Sequence, residues 1–250
     1  MGVETDEFIE LNIQKIYFEK VCVYLSMIIK TIHLVILLLL SLSCKMKDNA
    51  SEIKPVEPIR YLALGDSYTI GESVSLNQNF PAQLVDSLKA SGVSVSSYKI
   101  IAQTGWTTTS LKLAIEASTL KDTFNLVSLL IGVNNQYQGK PIYVYEQEFV
   151  ELAERAIQFA GGKKKNVFVV SIPDYGYTPF GQNNQMTISS EIDVYNSINK
   201  RLSDSLGLKY CNITPISRRA LSEPDLVAGD GLHPSAKMYA LWVDLMMQNL

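Results

Sequence analysis

Five short apolar runs recur along the chain from residue 59 onward, at Ile59–Leu64, Tyr98–Ala102, Leu126–Ile131, Val167–Ser171 and Leu208–Ile213. Each has the length of a strand. Segments with helical periodicity separate them, the clearest at Tyr145–Ala160, where Tyr145, Phe149, Leu152, Ala156 and Ala160 form one stripe. Glu146, Glu148, Glu151, Glu154 and Arg155 fall largely outside that stripe, and Gly161-Gly162 ends the helix. Further helices are expected at Pro81–Ala90, Thr108–Ser118, Ser189–Leu206 and Ser235–Leu250. Strands joined by helices require right-handed crossovers and a parallel sheet covered on both faces. The pattern therefore predicts a three-layer α/β/α sandwich around a five-stranded parallel sheet, as one domain without internal repeats.

Composition narrows the function. The 250 residues are 47% hydrophobic and 19% charged, with 22 basic and 25 acidic side chains and a net charge of -3. That balance provides no broad basic footprint for a nucleic acid. Three cysteines and two histidines are too few, at their positions, for a Cys/His zinc site or a disulfide framework. No metal and no organic cofactor is expected.

A second apolar feature stands apart from the strands. The run His33–Leu42 follows Lys30 and ends in Ser43 and Cys44, and it is short for a bilayer, which takes about 20 apolar residues. Its end, Leu40-Ser41-Leu42-Ser43-Cys44, resembles the lipobox of a bacterial lipoprotein signal, although leucine is commoner at the place of Ser41. The resemblance implies a lipid-modified Cys44 as the mature N-terminus, attachment to a membrane, and a location in the cell envelope. Met27 opens a compact leader, whereas the stretch before it carries five acids and two lysines, so translation is expected to start at Met27. An uncleaved signal-anchor helix is the other reading, since apolar residues also run from Val21 to Ile29. The expected organisation is a leader at 1–43, a polar tether at 44–58 and the folded domain at 59–250. The leader holds two more acids than bases, so its removal takes the charge from -3 to -1 and leaves His233 as the sole histidine. Cys211, within an apolar run, reads as a small buried hydrophobe.

In a parallel sheet, ligands bind beyond the carboxyl ends of the strands. The segments at those positions are Gly65-Asp66-Ser67, Gln103-Thr104-Gly105-Trp106 and Gly132-Val133-Asn134-Asn135, with Asp230-Gly231-Leu232-His233 near the end of the chain. Ester hydrolysis needs these groups: a hydroxyl nucleophile, a base within reach, a carboxylate to orient the base, and donors for a developing oxyanion. Taken singly, each segment also fits an ordinary turn. Their joint occurrence after successive strands carries the catalytic reading.

The four segments resemble the four sequence blocks of the SGNH/GDSL hydrolase family, in the family's order and over essentially all of 59–250. The resemblance implies a flavodoxin-like SGNH fold and an acylhydrolase related to lipases and lysophospholipases. It assigns Ser67 as nucleophile and Asp230 and His233 as its triad partners. The Ser67 backbone N–H, Gly105 and Asn134 become the oxyanion donors. One position departs from the family: its third block usually ends Asn-Asp, and Asn135 stands in the second place. The nucleophile elbow of α/β-hydrolases fits less well, because Thr69 occupies the place of its second glycine.

The expected substrate is a small-molecule or lipid ester, with lysophospholipids and small acyl esters first. Carbohydrate O-deacetylation or acyl transfer to another acceptor is the second reading, and an idle binding module the third. Trp106, Tyr137, Tyr175, Tyr177 and Phe180 are candidate pocket aromatics.

Overall fold

The computed structural model describes residues 3–43, 57–120 and 123–250. Two compact units divide the chain, Met1–Pro55 and Val56–Leu250. In the first, helix α1 spans Val3–Ser43 without interruption. Within it Lys15–Leu37, 23 residues long, is sufficiently long and apolar to cross a membrane, and its side chains are exposed. A signal segment and a membrane anchor both have this character. Cys44 and nearly all of the expected tether lie outside the described residues.

The second unit contains strands β1 (Ile59–Gly65), β2 (Val95–Ala102), β3 (Leu126–Leu130), β4 (Val167–Val170) and β5 (Lys209–Cys211). All four pairings are parallel, in the order β2-β1-β3-β4-β5. This is the five-stranded doubly wound sheet that the sequence predicts. Its helices are α2 (Ser67–Ile70), α3 (Phe80–Ala90), α4 (Thr108–Ala117), α5 (Val133–Tyr137), α6 (Ile142–Phe159), α7 (Gln185–Leu206), α8 (Thr214–Ser217) and α9 (Ala236–Met247).

Right-handed crossovers fix the layers. The chain steps from β1 to β2 in one direction, then reverses past β1 to reach β3 and continues to β4 and β5. Helix α3 therefore covers one face, where α9 packs on it, and α4, α6 and α7 follow one another on the other. The central strands are apolar on both faces: Leu62, Leu64, Val127 and Val169 on one, and Tyr61, Ala63, Leu130 and Val170 on the other, are all fully buried.

The reversal has a functional consequence. It opens a crevice at the carboxyl ends of β1 and β3, the topological switch point where open α/β sheets bind ligands. Ser67 follows β1 directly, and Asn134 follows β3.

Candidate active site

Gly65 ends β1 so that the chain can turn straight into α2. A Cβ there would lie 2.0 Å from Thr69 Oγ1 and 2.5 Å from the carbonyl oxygen of Leu130, so only glycine fits between the strand and the turn. Asp66 caps α2, its Oδ1 accepting the Tyr68 N–H at 3.1 Å. The Ser67 carbonyl accepts from Gly71 at 3.1 Å and Glu72 at 3.0 Å, closing the short helix. This tight turn holds Ser67 at the mouth of the crevice.

The loop after β2 brings Gly105 to the same place with φ +81°, a conformation glycine adopts without strain. The α5 segment grips that loop. Asn134 Nδ2 donates to the Trp106 carbonyl at 3.0 Å, and Gln138 Nε2 donates to the Gly105 carbonyl at 3.1 Å.

Asp230 and His233 occupy a short antiparallel turn in which Val227 pairs with Pro234. The Ala228 N–H donates to the His233 carbonyl at 2.7 Å. His233 Nδ1 sits 2.6 Å from Asp230 Oδ2, while the backbone N–H groups of Leu232 and His233 donate to Asp230 Oδ1, each at 2.9 Å. Burial works to raise the Asp230 pKa, but hydrogen bonds from Ser73, His233 and these two backbone groups prevail and hold it far below the usual carboxylate range. A fixed carboxylate therefore faces Nδ1, which leaves Nε2 of the ring for chemistry.

Ser67, Gly105, Asn134 and His233 all line one cavity of about 310 Å³. Asp230 stands behind His233. The sequence-predicted residues are thus brought together, apart from Cys44, which lies outside the described residues. The rest of the wall is mostly apolar: Val133, Tyr137, Tyr175, Phe180 and Leu232, with Thr104 and Tyr68. Three of the five candidate aromatics are on it. Trp106 instead packs against the core, and Tyr177 lies under the Arg218 guanidinium, 6.0 Å from its ring centroid.

Three contributors escape sequence reading, and a fourth, Asn135, shows there only as a departure from the family. Tyr68, next to Ser67, sets its ring 5.6 Å from the His233 imidazole and is itself backed by Trp242 at 6.5 Å. Ser73 donates to Asp230 Oδ2 at 2.7 Å. Asn135 bonds Thr108 at the start of α4. Glu148, expected on the outer face of its helix, is instead buried and accepts from Thr108 and Thr109. Two threonines of α4 supply hydrogen bonds and Lys112 of the same helix sets its ammonium 3.5 Å from Glu148 Oε1, which together offset the burial of the carboxylate. The Gly-Asp-Ser-Tyr string points to Tyr68's neighbour only, and nothing local marks Ser73 as a partner of Asp230.

The GDSL-like Lipase/Acylhydrolase family model matches residues 63–241. The chain belongs to that family. Membership makes it a GDSL-type carboxylic ester hydrolase. Solved structures repeat the fold at low identity. A lipolytic protein of the G-D-S-L family from Veillonella parvula is 16% identical with a TM-score of 0.58, covering 76% of this chain and 96% of its own. The psychrotrophic esterase EstA from Pseudoalteromonas sp., in a form inhibited by monoethylphosphonate, is 17% identical with a TM-score of 0.55, over 76% and 95% of the two chains. Axe2, an acetylxylan esterase from Geobacillus stearothermophilus, is 17% identical with a TM-score of 0.58, over 76% and 93%. No curated protein matches this GDSL hydrolase.

Proposed function

We propose that this GDSL hydrolase cleaves carboxylic esters through an acyl-enzyme on Ser67. His233 Nε2 takes the Ser67 hydroxyl proton as Oγ attacks the ester carbonyl, and the carbonyl oxygen becomes an anion. The backbone N–H groups of Ser67 and Gly105 and the Asn134 side-chain amide donate to that anion. Collapse expels the alcohol, which leaves with the proton from His233. Water then attacks the acyl-enzyme with the same assistance, releasing the acid and restoring Ser67. Asp230 orients the imidazole and stabilises its charged form. None of these steps calls for a metal or an organic cofactor.

The observation that carries this reading is the 2.6 Å pair of His233 Nδ1 and Asp230 Oδ2 opening onto the cavity that Ser67, Gly105 and Asn134 share. Substrate preference follows from the wall. It contributes apolar and aromatic contacts and no lysine or arginine, which favours small acyl esters with uncharged leaving groups; lysophospholipids, whose leaving group carries a phosphate that meets no cation on this wall, rank below them. A second reading, carbohydrate deacetylation, is favoured by the exposed rings of Tyr137 and Phe180, which are suited to stacking on a sugar. The name of Axe2 points the same way.

A panel of p-nitrophenyl esters of rising chain length, run beside acetylated xylo-oligosaccharides, separates the two. Short acyl esters should be preferred, and Ser67→Ala should abolish turnover on every substrate. Faster release of acetate from the oligosaccharides than of nitrophenol from any ester would favour the second reading.

Lipid attachment at Cys44 belongs to the same proposal. The apolar character of Lys15–Leu37 supports entry of the N-terminal segment into a membrane. In a bacterial host, the full chain should partition with membranes, and Cys44→Ala should change the mass of the mature N-terminus. An unchanged mass would remove the lipid anchor from the account.

A further inference from the structure

Ser73 has φ +66°, the one residue other than glycine with a positive φ among the described residues. An L side chain costs energy in that conformation, and such strain persists where something holds it in place. Ser73 is exposed, two residues beyond Gly71, which closes the nucleophile turn. Glycine would adopt this backbone freely. What serine adds is a hydroxyl, and that hydroxyl donates its single proton to Asp230 Oδ2 at 2.7 Å, across 157 positions of sequence.

The bond completes a set. Asp230 Oδ1 receives the N–H groups of Leu232 and His233, while Oδ2 receives His233 Nδ1 and Ser73 Oγ. The first three donors come from the turn that carries Asp230 itself. Among the described residues, Ser73 alone ties the carboxylate by a hydrogen bond to the segment that carries Ser67. That segment is short and direct: the N–H of Glu72, the residue before Ser73, donates to the Ser67 carbonyl at 3.0 Å. Nucleophile and acid are thereby linked through one strained residue.

We propose that Ser73 is a positioning residue, locking the Asp230 carboxylate against His233 and fixing the spacing between the acid–base pair and Ser67. The proposal rests on the esterase reading above. Its expected signature is a loss of kcat with KM unchanged, because the acyl pocket is untouched and only the transition-state geometry loosens.

Two variants separate hydroxyl from backbone. Ser73→Ala removes the hydroxyl and keeps the strain, whereas Ser73→Gly removes both. Loss of a hydrogen bond to a charged group corresponds to about a ten-fold effect or more. Both variants should lose about ten-fold or more in kcat on p-nitrophenyl acetate, and the melting temperature of Ser73→Gly should equal or exceed that of the parent. Normal kcat in Ser73→Gly would overturn the proposal, whether or not Ser73→Ala is impaired, since the backbone would then be all that matters. A second readout does not depend on turnover. With ¹⁵N-labelled histidine, the His233 Nδ1–H resonance of the parent should shift and exchange faster with solvent in both variants. If the parent itself hydrolyses no ester, the esterase reading fails and this resonance alone decides whether Ser73 positions Asp230. An unmoved resonance overturns the positioning role.

Discussion

Asn135 both accepts from and donates to Thr108: its Oδ1 takes the Thr108 N–H at 2.9 Å, and its Nδ2 donates to Thr108 Oγ1 at 2.7 Å. The Thr108 hydroxyl in turn donates its hydrogen bond to the buried carboxylate of Glu148 at 2.5 Å. The amide that replaces the family's usual aspartate therefore pins the start of α4 to the segment carrying Asn134. A carboxylate at 135 has no proton to give. It would meet Thr108 Oγ1 as one acceptor facing another, with the hydroxyl's hydrogen bond already given to Glu148.

Asn135→Asp should cost about 1–3 kcal/mol of stability, the range for a buried polar contact left unsatisfied. Adding Glu148→Gln should recover much of that loss, because the glutamine amide can donate to Thr108 Oγ1 and free its proton for the new carboxylate. Urea denaturation of the two single variants and the double variant measures this coupling. Strict additivity would disprove the arrangement.

Tyr68 is the support on the other side of His233. The side chain is buried between the imidazole and Trp242, so Tyr68→Ala should lower stability by about 3–5 kcal/mol, as for other large aromatic truncations. It should also reduce kcat. Tyr68→Phe keeps the ring and should keep most of the activity. Thermal melts paired with steady-state kinetics on the two variants check both halves.

Asp66 sets a pH dependence of stability. Its side chain is fully buried and Oδ2 has no hydrogen-bond partner among the described residues. Burial pushes the carboxyl pKa up to about 7, against the hydrogen bonds that favour its charged form. The folded state therefore holds a proton that the unfolded chain, with a pKa near 3.9, has released by neutral pH. More protons bound in the folded state mean that this contribution is complete below about pH 4 and is lost as pH rises toward 7. Relative to the parent, Asp66→Asn should thus gain stability at pH 8 compared with pH 4, by an amount on the order of a few kcal/mol. Melting curves of both proteins across that range are the check, and parallel curves would contradict it.

The central strands were legible in the sequence because both of their faces are buried, which leaves an uninterrupted apolar run such as Tyr61-Leu62-Ala63-Leu64. The edges were less so. In β2 the second and third residues, Ser96 and Ser97, are polar and exposed, so the apolar run starts only at Tyr98, while β5 is shorter than its apolar run. The helices α2 and α5, which lead directly from β1 and β3 into the site, have four and five residues, too few to show a period.

Ser67, Gly105, Asn134, Asp230 and His233 could be picked out because strand ends concentrate ligand-binding groups and because the four blocks carry a family resemblance. Their supports could not. Ser73 contacts Asp230 across most of the chain, and Glu148 stands at the edge of its helix's apolar stripe, where its charge rather than its spacing suggested a solvent-facing place. Contacts of that kind belong to tertiary structure.

The most direct test of Ser67 as nucleophile is covalent capture. A fluorophosphonate ester presented to the native protein should add one phosphonyl group, detected as a single mass increment that peptide mapping places on Ser67. Ser67→Ala should take up none, and His233→Ala, lacking the base, should react far more slowly. Phosphonylation at another residue, or undiminished labelling of Ser67→Ala, would contradict the account.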